Sequence, residues 1–225
     1  MNNIKSFYVI DKDKIKGNIH IVGVGALGSM VAEQLMRLNL TSKIIVYDFD
    51  EVEEKNLNNQ AYLREHIGMS KVDAMKSLAS NIDSDAKLRG RVKKVDRLNT
   101  KSEDVVILAV DNFHARGNIL KSLGGNPLVL SGGITSRGGN LEIVRGSNQY
   151  KVLGDEYLSL EAGVEYAEEH TTPCGSPISI YHRIRVASSL FCDALIEHYD
   201  NGEERNDNII FDTPTLLFLT DNKLD

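Results

Sequence analysis

The 225-residue chain carries 26 lysines and arginines against 32 aspartates and glutamates, a net charge of −6, and 41% of its residues are hydrophobic. That is enough apolar material for one sizeable core, so a single domain over residues 1–225 is expected, and the acidic balance argues against a general nucleic-acid binder. The two cysteines, Cys174 and Cys192, cannot make a disulfide framework or a cysteine-built zinc site; no apolar run is long enough to span a membrane, and the first residues lack a cleavage pattern. A cytoplasmic protein with no nucleic-acid or membrane partner is expected.

The charge is uneven. Residues 151–225 hold 5 basic and 15 acidic side chains, which leaves the first two thirds of the chain net basic and suited to a polyanion. Residues 1–17 form a polar N-terminal segment apart from Phe7–Ile10, a candidate edge strand. Ile19, Ile21 and Val22 then make a short apolar run leading into Gly23-x-Gly25-x-x-Gly28, and Val31, Leu35 and Leu38 recur at helical spacing. This is the strand–turn–helix that binds nucleotide phosphates. The first glycine permits the tight turn, the second lets a phosphate approach the backbone, and the third lets the helix pack on the strand. A second strand, Lys43–Tyr47, ends at Asp48, twenty residues beyond Gly28, where a dinucleotide fold places a carboxylate on ribose hydroxyls. To this point a nicotinamide dehydrogenase and an ATP enzyme read alike.

The next stretch separates them. Asp48-Phe49-Asp50 runs into the amide-rich Asn56-Leu57-Asn58-Asn59-Gln60 and then into Ile67-Gly68-Met69-Ser70-Lys71, with Lys71 opening a helix over Lys71–Ile82. A dehydrogenase has no use for a lysine there, whereas a triphosphate site does. Leu88–Val95 reads as a modest strand and Val105–Val110 as a fully buried one. Asp111 stands at the carboxyl end of the latter, where open α/β sheets place their ligands; it equally suits the N-cap of a helix over Asn112–Leu123. Pro127–Ser131 reads as a further strand ended by Gly132-Gly133, Gly138–Val144 as an outer strand, Asp155–Glu169 as a patchy acidic stretch, and Thr171–Pro177 as a turn-rich break. A helix over Ser179–Tyr199 and closing strands at Ile209–Phe211 and Leu216–Leu219 complete the chain. His170 and Cys174 have no second pair with which to bind a metal.

The succession GxGxxG, D-x-D-x-V-x3-N-L-N, I-G-x-x-K and D-N-x3-R resembles the adenylyltransferase family of ThiF, MoeB and the ubiquitin-activating enzymes. The chain carries Gly23, Gly25 and Gly28; Asp48 and Asp50; Asn56, Leu57 and Gln60; Gly68 and Lys71; and LAVDNFHAR, which ends at Arg116. It departs at Asn59, where the family has an arginine.

The resemblance implies an α/β fold in which a Rossmann-like nucleotide-binding half continues into a mixed sheet of roughly eight strands. It implies ATP and Mg²⁺ as cofactors, with the nucleotide held by Gly23, Gly25, Gly28, Asp48, Asp50, Asn56, Gln60 and Lys71 and the metal by Asp111. The reaction implied is adenylylation of the C-terminal carboxylate of a small ubiquitin-like or sulfur-carrier protein by a homodimer. Lys71 and Asp111 would carry the catalysis by charge. Family sites are completed by a partner subunit's arginine, and residues 1–36 contain none. Arg64, or a basic residue of the N-terminal segment, is the candidate replacement for the missing arginine. Cys174, in the loop 170–177 just before a long helix, is the candidate acyl acceptor, since a helix N-terminus favours thiolate. At 225 residues no room is expected for a separate catalytic-cysteine or ubiquitin-fold domain. The rival readings are a catalytically weakened binding module, which the change at Asn59 favours; an adenylyltransferase for a peptide or small carboxylic acid; and an NAD-dependent oxidoreductase, which only GxGxxG and Asp48 support.

Overall fold

Three of the first apolar runs become parallel strands because each is followed by an amphipathic segment that must return across the sheet before the next strand can pair. The computed structural model describes residues 16–39, 43–86, 88–135, 137–163, 181–201, 207–212, 215 and 217–222. Strand β1 (Asn18–Val22) leads to helix α1 (Ala26–Arg37), β2 (Lys43–Asp48), α2 (Lys71–Ile82) and β3 (Leu88–Val92). Then follow β4 (Val105–Leu108), α3 (Phe113–Ser122), β5 (Leu128–Ile134), β6 (Gly138–Val144), α4 (Ser147–Gly163), α5 (Tyr181–Asn201), β7 (Asp207–Asp212) and β8 (Leu217–Asn222). These make one α/β domain around a single eight-stranded sheet of order β3-β2-β1-β4-β5-β6-β7-β8. Pairings from β3 through β5 are parallel and those from β5 to β8 antiparallel.

Two hydrophobic layers clasp the sheet. Ile19 and Ile21 of β1 point into a layer with Leu35 of α1, Met75 of α2 and Phe191 of α5. Val22 and Tyr47 point the other way, to Ile119 of α3 and Tyr150 and Tyr157 of α4. Alternation along β1 thus sends neighbouring residues to opposite cores. Polar ties hold α5 on α1: Arg185 pairs with Glu33 at 2.7 Å and the Gln34 amide donates to Ser188 at 2.6 Å.

The structure corrects several sequence expectations. Strand β3 stops at Val92 rather than Val95, because its partner β2 ends at Asp48, the residue paired with Val92. Strand β4 stops at Leu108 rather than Val110, although the Ala109 N–H still donates to the Val22 carbonyl of β1 at 2.9 Å. Gly132 and Gly133 lie inside β5 instead of ending it; a Cβ on Gly132 would sit 2.1 Å from the Asn140 carbonyl oxygen, so the glycine is what lets β6 pair so closely. Strand β6 is interior, between β5 and β7. The helix α4 was not expected, although Tyr150, Leu153 and Tyr157 lie at helical spacing and are buried against α3. Phe7–Ile10 and the 170–177 loop lie outside the described residues.

Candidate nucleotide-binding site

The sheet order reverses between β1 and β4: the chain leaves β1 toward β2 and leaves β4 toward β5. At such a switch point a crevice opens at the carboxyl ends of the strands. The three glycines meet it in three different ways. Gly23 has φ +86, left-handed backbone that favours glycine. A Cβ on Gly28 would lie 1.9 Å from the Gly23 carbonyl oxygen, so this glycine is needed for packing. A Cβ on Gly25 would meet nothing within 4 Å. Gly25 is also the N-cap of α1, without a side-chain cap and with no acidic residue in the helix's first turn. Unused helix N–H groups therefore face open space, which is the arrangement that receives phosphate.

The acids and the lysine are wired to this turn. The buried Asp48 accepts from the Val24 N–H at 2.8 Å through Oδ2 and from the Asp50 N–H at 2.9 Å through Oδ1. It therefore fixes the glycine turn and its own loop, while each oxygen keeps a lone pair for a ribose hydroxyl. Lys71 is buried, and its Nζ donates to Asp50 Oδ2 at 2.8 Å while its backbone N–H donates to the Asp50 carbonyl at 2.9 Å. Helix α2 starts there because Ser70 caps it, accepting from the Asp73 N–H. Tyr62, which sequence reasoning missed, donates to the Val24 carbonyl at 2.6 Å, and Ser29 of α1 accepts from the Ala61 N–H at 3.0 Å. Burial, with Asp48 and Asp50 nearby, raises the Tyr62 hydroxyl well above its ordinary pKa, so it stays a donor. Glycine turn, acidic loop and lysine helix thus form one hydrogen-bonded frame.

Across the crevice Asp111 follows β4. The N-cap of α3 is Asn112, whose side chain accepts from the Ala115 N–H at 2.7 Å, so Asp111 does not cap the helix. Its side chain is exposed and makes no hydrogen bond or ion pair with any described residue. Arg116 points elsewhere: it is buried, donates through Nε to the Val110 carbonyl at 2.7 Å and through Nη2 to the Gly132 carbonyl at 2.8 Å.

A model of the ThiF family matches residues 4–156. The chain belongs to the ThiF family. Among curated proteins it is similar to "Ubiquitin-like modifier-activating enzyme 5" of Drosophila virilis, 35% identical over 132 residues that cover 52% of this chain and 32% of that protein. The Caenorhabditis briggsae protein of the same name is 32% identical over 125 residues, covering 48% of this chain and 28% of that one. The match thus spans about a third of those relatives' length. Among solved structures, E. coli MccB with ATP superposes with a TM-score of 0.72 at 15% identity, covering 95% of this chain and 66% of that one. PaaA superposes with a TM-score of 0.64 at 14% identity, covering 95% and 75%. At these identities the structural likeness establishes the shared fold.

Within this ThiF-family domain the remaining expected site residues fall around the loop between β2 and α2. Asn56 is buried, and its side-chain oxygen accepts from the Glu53 N–H at 2.8 Å, so it shapes the short 3₁₀ turn Glu54–Asn58. Asn59 ends that turn as its C-cap. The Gln60 Oε1 is buried without a hydrogen-bond partner among the described residues. Arg64 is exposed and among the described residues reaches only Glu54, at 3.5 Å. Cys174 lies outside the described residues. Cys192 joins the apolar face of α5, and burial pushes its thiol up to about 12. Among the described residues no group of three or more histidines, cysteines or acids is placed to hold a metal. A hard cation held by one carboxylate together with nucleotide phosphates needs no such group, and an exposed, unengaged Asp111 beside the phosphate cradle fits it.

Proposed function

We propose that the chain uses ATP to adenylylate the C-terminal carboxylate of a small ubiquitin-like or sulfur-carrier protein. One observation carries the reading: an open glycine turn, two acids and a buried lysine form a single hydrogen-bonded frame facing an unengaged aspartate across the switch point of the sheet. Membership of the ThiF family and the similarity to ubiquitin-like modifier-activating enzymes support it.

In the reaction a carboxylate oxygen forms a bond to the α-phosphorus of ATP, the bond from that phosphorus to the bridging oxygen breaks, and pyrophosphate leaves with both electrons of the broken bond. No covalent bond to the protein is required. The protein's contribution is position and charge. The Gly25 cradle and the first N–H groups of α1 receive phosphate oxygens, Asp48 and Gln60 accept from the ribose, and Lys71 places a cation by the triphosphate. Asp111 would hold Mg²⁺, which supplies charge neutralisation on the departing pyrophosphate. A homodimer, a cytoplasmic setting and a Cys174 thiolate that captures the acyl group from the adenylate with release of AMP belong to the same proposal.

Mass spectrometry of the chain incubated with Mg·ATP and small proteins ending in Gly-Gly tests it: an AMP adduct on the small protein's C terminus is expected. Calorimetry should show ATP binding and no NAD binding; tight NAD binding without ATP binding would reject the proposal. The catalytically weakened binding module remains a second reading because Asn59 is neutral and Arg64 is exposed beside Glu54. The two readings part on Asn59→Arg and Arg64→Ala. If the second variant is silent and the first gains activity, Arg64 does not replace the family arginine and the weakened reading is favoured.

A further inference from the structure

A buried guanidinium needs an explanation, and in this fold it bears on Asp111. Arg116 belongs to α3, yet its side chain reaches back to the carbonyl of Val110, just past β4, and to that of Gly132 within β5. Its Nε bond to the Val110 carbonyl fixes the peptide unit that joins Val110 to Asp111. On the other side of Asp111, the Asn112 side chain caps α3 and the Asn112 carbonyl accepts from the Arg116 N–H at 3.1 Å. The residues on either side of Asp111 are therefore held, and its carboxylate is left unengaged among the described residues.

The arginine is itself held in place. Its guanidinium lies 5.7 Å from the centre of the Phe113 ring and 5.6 Å from that of Tyr157. The Tyr157 hydroxyl donates to the buried Glu142 carboxylate of β6, which leaves it to accept from the Ser131 hydroxyl at 2.7 Å. Burial first, and the Glu142 charge second, raise the Tyr157 pKa above its ordinary value, with Arg116 opposing, so this hydroxyl keeps its proton. A chain of buried polar groups thus runs from β6 through α4 to the loop after β4, and ends where the crevice begins.

We infer that Arg116, backed by Tyr157 and Glu142, is the positioning residue for Asp111: it fixes the Val110–Asp111 peptide so that the carboxylate faces the nucleotide phosphates. The inference rests on the Mg·ATP reading above for what Asp111 does, but not for how its loop is held. Lysine cannot replace it, because one ammonium cannot span both carbonyls in the planar fork of a guanidinium.

The test uses the full chain with Arg116→Lys, Tyr157→Phe, Asp111→Asn and the Arg116→Lys/Asp111→Asn double variant. Amide hydrogen exchange is read first. In Arg116→Lys the Ala109 amide, which donates to the Val22 carbonyl at 2.9 Å, should exchange faster while those of β1 and the middle of α3 keep their protection, and Tyr157→Phe should show the same pattern more weakly. The Mg²⁺ concentration giving half-maximal tightening of ATP binding should rise about tenfold in Arg116→Lys, the scale on which groups that orient metal ligands act. Binding of ATP in EDTA should stay unchanged. The double variant should lose no more Mg²⁺ dependence than Asp111→Asn alone, since both changes act through one carboxylate. Unchanged exchange at Ala109 in both Arg116→Lys and Tyr157→Phe overturns the inference, as do fully additive effects on Mg²⁺. If Arg116→Lys does not fold, exchange in Tyr157→Phe decides. If the wild type binds no ATP, the function proposed above fails while exchange still decides whether Arg116 holds the loop.

Discussion

The three glycines of one turn should respond differently to the same added methyl group. In Gly28→Ala the new Cβ meets the Gly23 carbonyl oxygen at 1.9 Å and the Ala109 Cβ at 3.1 Å. The first of these is backbone, so no rotamer change relieves it. Overpacking of this kind costs about 1–3 kcal/mol, and the close contact places it at the upper end. Alanine returns about 1 kcal/mol through helix propensity, leaving a net loss of about 2 kcal/mol. For a chain of this size that lowers Tm by about 4–8 °C. In Gly25→Ala the methyl group meets no atom within 4 Å, so Tm should stay close to wild type. It occupies the space a phosphate would use, and ATP binding should weaken about tenfold, or 1.4 kcal/mol. Calorimetric unfolding and ATP titration on the two variants separate packing from binding. A Gly28→Ala protein as stable as wild type, or a Gly25→Ala protein that binds ATP normally, would refute the assignment of roles within the turn.

Three other outcomes follow from the same frame. Asp50→Ala leaves the buried Lys71 ammonium without its 2.8 Å partner and should lower stability by about 1–2 kcal/mol in urea unfolding, less than a fully buried pair because Asp50 is half exposed; Lys71→Met should cost less stability but more ATP affinity. His20 lies 2.9 Å from the Tyr47 hydroxyl and 3.6 Å from Asp104, and burial, partly opposed by Asp104, lowers its pKa below the ordinary 6.5. The unfolded chain then binds the proton more readily, so the contribution is complete above pH 6.5 and is lost as pH falls below it; His20→Gln should flatten the stability profile in that range, and an unchanged slope would contradict the assignment. Cys192, with its thiol pushed up to about 12, should resist alkylation at pH 8 until denaturant is added, which peptide mapping can follow separately from Cys174.

The parallel half of the sheet was legible in the sequence because each of its constraints is local. Gly23 must turn, Gly28 must pack and Lys71 must follow its cap, and all three are visible at fixed spacing. The polar ties that join these pieces were not visible, since nothing near Tyr62 in the chain announces that its hydroxyl reaches the Val24 carbonyl 38 residues away. Arg116 could be read as part of a motif but not as a clamp, because its partners Val110 and Gly132 are carbonyls, which every residue possesses. Helix α4 escaped because Gly154 interrupts its apolar positions; a Cβ there would sit 3.3 Å from the Gly117 carbonyl, so that glycine serves the close approach of α3. The glycines of β5 were misread for the same reason: in isolation a glycine pair ends a strand, while in the sheet it lets a neighbouring strand approach.

The most direct test of the account is ATP–pyrophosphate exchange by the purified chain with and without a small protein ending in Gly-Gly. Exchange that requires the small protein and Mg²⁺, and that falls on the order of a hundredfold or more in Lys71→Ala and Asp111→Ala, is the predicted result. Tight Mg·ATP binding with no exchange for any carboxylate supplied would contradict adenylylation and leave a nucleotide-binding module.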